Sequence, residues 1–299
     1  MKPYLQLDHL SPSPPLEIEE AEYSLLLQSR PVLNAAFSFE ENYDLLIGNY
    51  IELENAALSH AAESMVRQRH DYHDLFEVRA EINRRVVNFL SAARLFVDQL
   101  PQHIEQCGGE KDELKAKLSS EYDASFAYRF MEALRNHVQH SGSAVHTLSI
   151  GSKWQPPRER RKRVFNLQAF TQKRFLLLDK TFKKATLAEC PERVEVLVAT
   201  RRYLESLSAV HDFARQQIEE PVAKARSAFA EAIDRYKQFS KESTIGLTAY
   251  PPGERDPSNG VAVFLNWDDV RIKLSQRNLN LRNLSKSTVS SSTPEECSP

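Results

Sequence analysis

Residues 133–142 read ALRNHVQHSG and put Arg135, Asn136, His137 and His140 within six positions. A guanidinium is charged at every physiological pH and matches the oxygens of a phosphate. An imidazole exchanges its proton near neutrality. Together they suit acid–base work at a phosphodiester, with Asn136 and His140 one helical turn apart and therefore neighbours on a helix surface. His140 also falls in the last turn before Ser141-Gly142, where the free carbonyls of a helix end favour a protonated ring.

The elements needed to hold this group follow from hydrophobic spacing. Phe39, Tyr43, Leu46, Ile47, Tyr50, Ala57, Leu58 and Ala61 recur at intervals of three and four, which predicts an amphipathic helix over about 38–68 with Ser38 as its cap. Ile82, Val86, Phe89, Leu90, Ala93, Phe96, Val97 and Leu100 predict a second helix that Pro101 interrupts. A short helix at 111–121 precedes a third amphipathic run at 123–140, ended by Ser141-Gly142 as a C-cap.

Helical period then gives way to AVHTLSIGSKW and KRVFNLQAF, read as two strands of a hairpin with a basic tip. Residues 190–241 return to helical period, with Pro191 at a first-turn position and Pro221 dividing the run into two helices. Segments 244–250 and 260–265 read as a second strand pair around PPGERDPSNG. The fold class expected is mainly α, an antiparallel helical bundle with one or two small antiparallel β-hairpins attached. The expected divisions are a flexible arm at 1–15, the bundle at 16–145, a hairpin and helical extension at 146–284, and a disordered Ser/Thr-rich tail at 285–299.

The net charge of −2 hides an asymmetry. Residues 1–60 carry ten acids against Lys2 and Arg30, whereas in 151–184 eleven bases face only Glu159 and Asp179. The basic stretch, with Arg158, Arg160, Arg161, Lys162 and Arg163 at its centre, offers a surface for RNA phosphates, and Trp154 and Phe165 offer stacking faces. Its other use would be to bind the acidic N-terminal part of the same or a second chain.

Several function classes lose support. Neither GxxxxGK[ST] nor GxGxxG occurs, and HExxH and GxSxG are absent. Cys107, Cys190 and Cys297 are dispersed and odd in number, against a disulfide framework or thiolate zinc site. His70, His73 and Asp74 share a helical face but lack distant ligands, so no metal and no cofactor is expected. With no apolar leader at the N-terminus and no run of membrane-spanning length, a cytoplasmic protein without membrane attachment is expected.

The run Arg135-Asn136-His137-Val138-Gln139-His140 resembles the Rx4H motif of the HEPN superfamily, with Asn in the polar slot, over roughly residues 38–145. The resemblance implies an antiparallel bundle, frequently a homodimer in which two motifs meet to form a metal-independent ribonuclease site. It implies Arg135, Asn136 and His140 as catalytic residues, His137 as a neighbour, RNA as the substrate, and a bacterial toxin–antitoxin or phage-defence setting with an antitoxin or other regulatory protein. The alternative, from a different class, is a non-catalytic helical interaction protein in which the same motif is structural or binds nucleotides.

Overall fold

A computed structural model describes residues 1–8, 14–67, 71–155, 162–240, 243–254 and 256–289. The chain is mainly α. In order, strands β1 (Tyr4–Leu7) and β2 (Leu16–Glu17) precede helices α1 (Glu20–Val66), α2 (Tyr72–Gln106), α3 (Lys111–Ala124) and α4 (Phe126–His140). Strands β3 (Thr147–Gln155) and β4 (Lys162–Gln172) follow, then short helices α5 (Lys173–Leu176) and α6 (Lys184–Glu189) and strand β5 (Arg193–Glu195). The long helix α7 (Val196–Ser240), strands β6 (Leu247–Tyr250) and β7 (Val261–Ala262), and helix α8 (Asn266–Arg277) complete the order.

These elements gather into two compact units, each drawn from three separate stretches. The first contains Met1–Asn49, Ser91–Ser119 and Val210–Leu279; the second contains Tyr50–Leu90, Ser120–Ala209 and Asn280–Pro299. α1, α2 and α7 each contribute one portion to either unit, so neither unit is a continuous stretch such as 16–145 or 146–284.

In the first unit, Phe39, Tyr43, Phe96, Phe229 and Tyr236 are almost fully buried. Glu22 of α1 pairs with Arg235 and Glu40 with Arg215, so α1 and α7 run antiparallel here. The sheet has the order β2-β1-β6-β7, with Tyr4 opposite Tyr250 and Thr248 opposite Ala262. Gly260 sits where a Cβ would lie 2.4 Å from Thr248 Cγ2, so a side chain at this position would collide with the neighbouring strand. The strand pair expected at 244–250 and 260–265 is thus present.

Residues 4–7, expected to belong to a loose arm, form a central strand instead. Leu5 and Leu7 are buried; Leu5 pairs with Leu16 on one side, and the β6 partners on the other lie some 240 positions away, beyond the reach of any local pattern. Pro101 and Pro221, expected to interrupt their helices, do not. Pro31, Pro101 and Pro221 all lie inside continuous helices. Each removes one backbone bond, at about 3 kcal/mol. Burial of Leu33, Phe39, Leu100, Ile104, Ile218 and Val222 beside them contributes about 1.5–3 kcal/mol per side chain and prevails. α1 therefore begins at Glu20, with Glu20 and Glu22 at its electropositive end, and Ser38 lies mid-helix. α7 begins at Val196, after β5, and Pro191 does not open it.

In the second unit, Phe89, Phe130, Met131, Leu134, Tyr203 and Leu204 form the core. Glu52 pairs with Arg85, and His60 with Glu81 at 3.0 Å, which fixes α1 and α2 as antiparallel. The sheet has the order β3-β4-β5, and its hairpin runs from Thr147 opposite Phe170 to Gln155 opposite Lys162. Of the tail, residues 285–289 are described and include a short 3-10 turn at Leu284–Lys286; 290–299 lie outside the described residues.

Candidate nucleic-acid site

α4 carries the motif, and its start and end are both built from short-range chemistry. Ser125 caps the N-terminus by accepting a hydrogen bond from the Tyr128 amide at 3.2 Å. Ala127, Phe130, Met131 and Leu134 fill the core, which turns Arg135, Asn136 and His140 outward. At the C-terminus the Ser141 and Gly142 amides both donate to the His137 carbonyl, at 2.8 and 3.1 Å. Gly142 is required here by a close approach: a Cβ would lie 2.9 Å from His137 Nε2.

Arg135 Nη1 donates to Asn136 Oδ1 at 3.0 Å, which fixes one side of the guanidinium. Asn136 and His140 are exposed and Arg135 is half-buried. None of the three meets a carboxylate among the described residues. Arg135 thus stands without a neutralising carboxylate near the end of α4, where the helix carbonyls add a favourable field for any cation.

His137 is a different kind of residue. Its side chain is 4% exposed, and Nδ1 lies 2.7 Å from Asp179 Oδ2, itself 3% exposed. Thr181 donates to the other carboxylate oxygen through its amide at 2.8 Å and its hydroxyl at 2.6 Å. The Thr181 hydroxyl, His137 and then the Thr181 amide and Ser141 hydroxyl hold the Asp179 carboxyl far below the usual carboxylate range, against the effect of burial. Asp179 is thus an anion and the His137 Nδ1–H donates to it. The expectation of His137 as a neighbour of the site is refined: it anchors the end of α4.

A second histidine stands beside the anchor. His146 lies with its ring centre 6.3 Å from that of His137 and stacks on Phe175 at 4.5 Å. Burial first, and then the charges of His137, Arg79 and Arg174, push the His146 imidazole down to about 4. Its Nδ1 accepts from the Gln172 amide at 3.1 Å, so the neutral ring carries its proton on Nε2. α2 positions this residue: Asn83 Nδ2 donates to the Val145 carbonyl at 3.0 Å and Asn83 Oδ1 accepts from the Val145 amide at 2.8 Å, while Arg79 Nη1 donates to the His146 carbonyl at 3.2 Å.

Of the basic candidates, Arg158, Arg160 and Arg161 and the side chain of Lys162 lie outside the described residues. Arg163 stands opposite Trp154 on the hairpin, donates to Ser152 Oγ at 2.5 Å and lies 5.0 Å above the Phe165 ring. Trp154 is 60% exposed. The idea that the basic segment neutralises the acidic N-terminal part finds other partners in place. Glu40 meets Arg215, Asp44 meets Arg277, Glu52 meets Arg85 and Glu54 meets Arg201.

Asp179, Thr181 and His146 were not picked out by spacing. Asp179 left one trace, as one of only two acids in the strongly basic 151–184 stretch. Cys107 and Cys190 are buried, and burial raises their thiols to about 12 and about 11, which keeps both protonated. Among the described residues no group of three or more His, Cys, Asp or Glu side chains is placed to hold a metal ion, and His73 pairs with Glu77 at 3.2 Å. His70 lies outside them. No helix among the described residues is long and apolar enough to cross a membrane.

No family model, no curated protein and no solved structure matches this chain.

Proposed function

We propose that this chain is an RNA-directed protein of HEPN type, a metal-independent endoribonuclease that acts as a homodimer in a bacterial toxin–antitoxin or phage-defence setting. The observation that carries the reading is the state of the Rx4H residues. Arg135 is oriented by Asn136, and His140 is exposed one turn on, neither compensated by a carboxylate among the described residues. A structural arginine or histidine would be expected to end on an acid, as His137 does.

In the proposed reaction His140 takes the proton of an RNA 2′-hydroxyl, and the 2′-oxygen bonds to the adjacent phosphorus. Arg135 stabilises the charge that develops on the phosphorane oxygens, and Asn136 keeps the guanidinium in place. The P–O5′ bond then breaks. The 5′-oxygen receives a proton from an imidazolium, supplied in a dimer by the second copy of His140. The products are a 2′,3′-cyclic phosphate and a 5′-hydroxyl.

The test is cleavage of a mixed RNA pool in EDTA by the wild type, His140→Ala and Arg135→Ala, each checked for an unchanged melting curve. Loss of a positioned acid–base group or charge stabiliser lowers the rate by about 10²–10³-fold. Cyclic phosphate ends from the wild type alone support the reading. Equal cleavage by all three sinks it.

The non-catalytic alternative has one observation in its favour. His137, half of the histidine content of the motif, is wholly committed to Asp179 and the helix end. Absence of cleavage, together with a stable complex recovered through α4, would favour that interaction protein.

A further inference from the structure

The second unit presents a face on which arginines and aromatic rings alternate. Tyr72, Phe76 and Arg79 follow one another at i, i+4 and i+7 on α2, a single helical stripe. It lies off the buried line of Val78, Ile82 and Val86, and Tyr72 and Phe76 are 76% and 48% exposed. Arg79 lies 5.7 Å from the Phe76 ring centre and holds the His146 carbonyl. His146 stacks on Phe175, and the exposed Arg174 lies 4.8 Å from the centre of that same ring. The contacts thus run continuously from α2 through the entry to β3 to α5. His146 also adjoins His137, the anchor of α4.

This composition has a specific chemistry. Exposed aromatic rings are poor protein surface unless something covers them. Rings backed by guanidinium groups attract a ligand that is flat, polarisable and attached to an anion. A nucleotide with its base unpaired has both properties, whereas a base inside a duplex has its faces occupied. An acidic peptide would satisfy the arginines and leave the rings uncovered.

We infer that Tyr72, Phe76 and Phe175, with the guanidinium groups of Arg79 and Arg174, form a stacking site for unpaired bases of an RNA strand, separate from Arg135, Asn136 and His140. The inference rests on the RNA-directed reading above and adds a binding site to it. The site gives the protein a preference for single-stranded over paired RNA.

The experiment uses the full chain with His140→Ala, so that the probe survives, and reads fluorescence anisotropy of a labelled unstructured 12-nucleotide RNA and of the same RNA in a duplex. Phe76→Leu with Phe175→Leu keeps the apolar bulk and removes the stacking faces. Phe76→Tyr with Phe175→Tyr keeps them. The parent is expected to bind the single strand at least tenfold more tightly than the duplex. The Leu pair loses at least tenfold on the single strand and little on the duplex, and the Tyr pair retains parental affinity. Arg79→Gln with Arg174→Gln weakens both forms and reduces the slope of log affinity against log salt by roughly 1.5 to 2, for two charges lost.

Equal binding of both RNA forms by the parent overturns the inference, as does a correctly folded Leu pair that binds like the parent. Binding to neither form overturns it too and leaves the face to a protein partner. The two readings fail separately. Ring-dependent binding without wild-type cleavage sinks only the ribonuclease; cleavage that ignores the rings sinks only the stacking site.

Discussion

Arginines stacked on rings without a carboxylate are concentrated in one of the two units. In the first unit, arginines end on carboxylates: Arg215 grips Glu40 through two nitrogens at 2.9 and 2.8 Å, Arg226 and Arg271 converge on Asp268, and Arg277 meets Asp44 at 2.5 Å. In the second, Arg79, Arg163, Arg174 and Arg193 lie over Phe76, Phe165, Phe175 and Phe170, with no carboxylate partner among the described residues. The division is partial: in the second unit Arg84, Arg85, Arg129 and Arg201 also pair with Glu81, Glu52, Glu189 and Glu54, and in the first Arg30 lies over Trp267. A guanidinium on a carboxylate is neutralised and serves stability. One on a ring keeps its charge for something outside the chain. The first unit is the framework by this measure, and the second holds the surface that can act.

The largest effect should come from breaking the framework. Asp268 is fully buried and faces two arginines, so Asp268→Asn removes the buried carboxylate they share, leaving Arg226 only the exposed Asp269, and should cost about 3–5 kcal/mol. Two units rule out treating one melting curve as two-state, so amide hydrogen exchange is the better reading. Protection should fall in α8 and β6–β7 while the second unit keeps its own. If all amides lose protection equally, the units are not separately stable and the comparison weakens.

Next is the anchor of α4. Asp179→Asn should cost about 1–3 kcal/mol, because His137 loses its anionic acceptor while both side chains stay buried. The Asp179 carboxyl is held below its unfolded value, so its contribution is fully present above about pH 4 and is lost as pH falls further. The variant should therefore lose its disadvantage in strong acid. A penalty that persists unchanged at low pH would mean that packing, not the carboxylate, holds the helix end.

How far was this readable in advance? The mainly helical class and the two strand pairs follow from local period, because amphipathic stripes such as Ile82, Val86, Phe89 and Leu90 are dictated by the elements themselves. The exposure of Asn136 and His140 also follows, from their position off the α4 stripe. Strand β1 was hidden, since YLQL acquires most of its pairing from Leu247–Tyr250, far along the chain, and only two residues of it from Leu16–Glu17 nearby. The continuity of three helices through proline was hidden by the same cause, tertiary burial overriding a local rule. His137 was legible only as a neighbour of the motif, because nothing within a turn announces Asp179, 42 residues on.

A smaller effect concerns His146. Its imidazole is held down at about 4, below the unfolded value of about 6.5, so the unfolded chain binds the extra proton between those values. Its contribution is complete above pH 6.5 and is lost as pH falls towards 4, by about 1–2 kcal/mol given its partial exposure. His146→Gln should flatten that part of the pH–stability curve measured through exchange in β3–β5. An unchanged curve would assign the acid sensitivity to another buried ring, such as His211 or His103, which burial also lowers.

The smallest change in stability should come with the clearest functional contrast. Arg163 over Phe165 and Arg277 on Asp44 are both exposed arginines, and replacing either with Gln removes one positive charge. Each interaction is worth about 0–1 kcal/mol, so neither variant should melt differently by more than a few degrees. Their charges differ in availability. Arg163→Gln should weaken RNA binding severalfold at 50 mM salt, with the deficit shrinking as salt rises, because one phosphate contact is lost. Arg277→Gln leaves Asp44 with the Asn278 side-chain amide, removes no contact to RNA and should leave the salt slope alone. Equal losses for both would mean that RNA senses only net charge, and the distinction between neutralised and available arginines would fall.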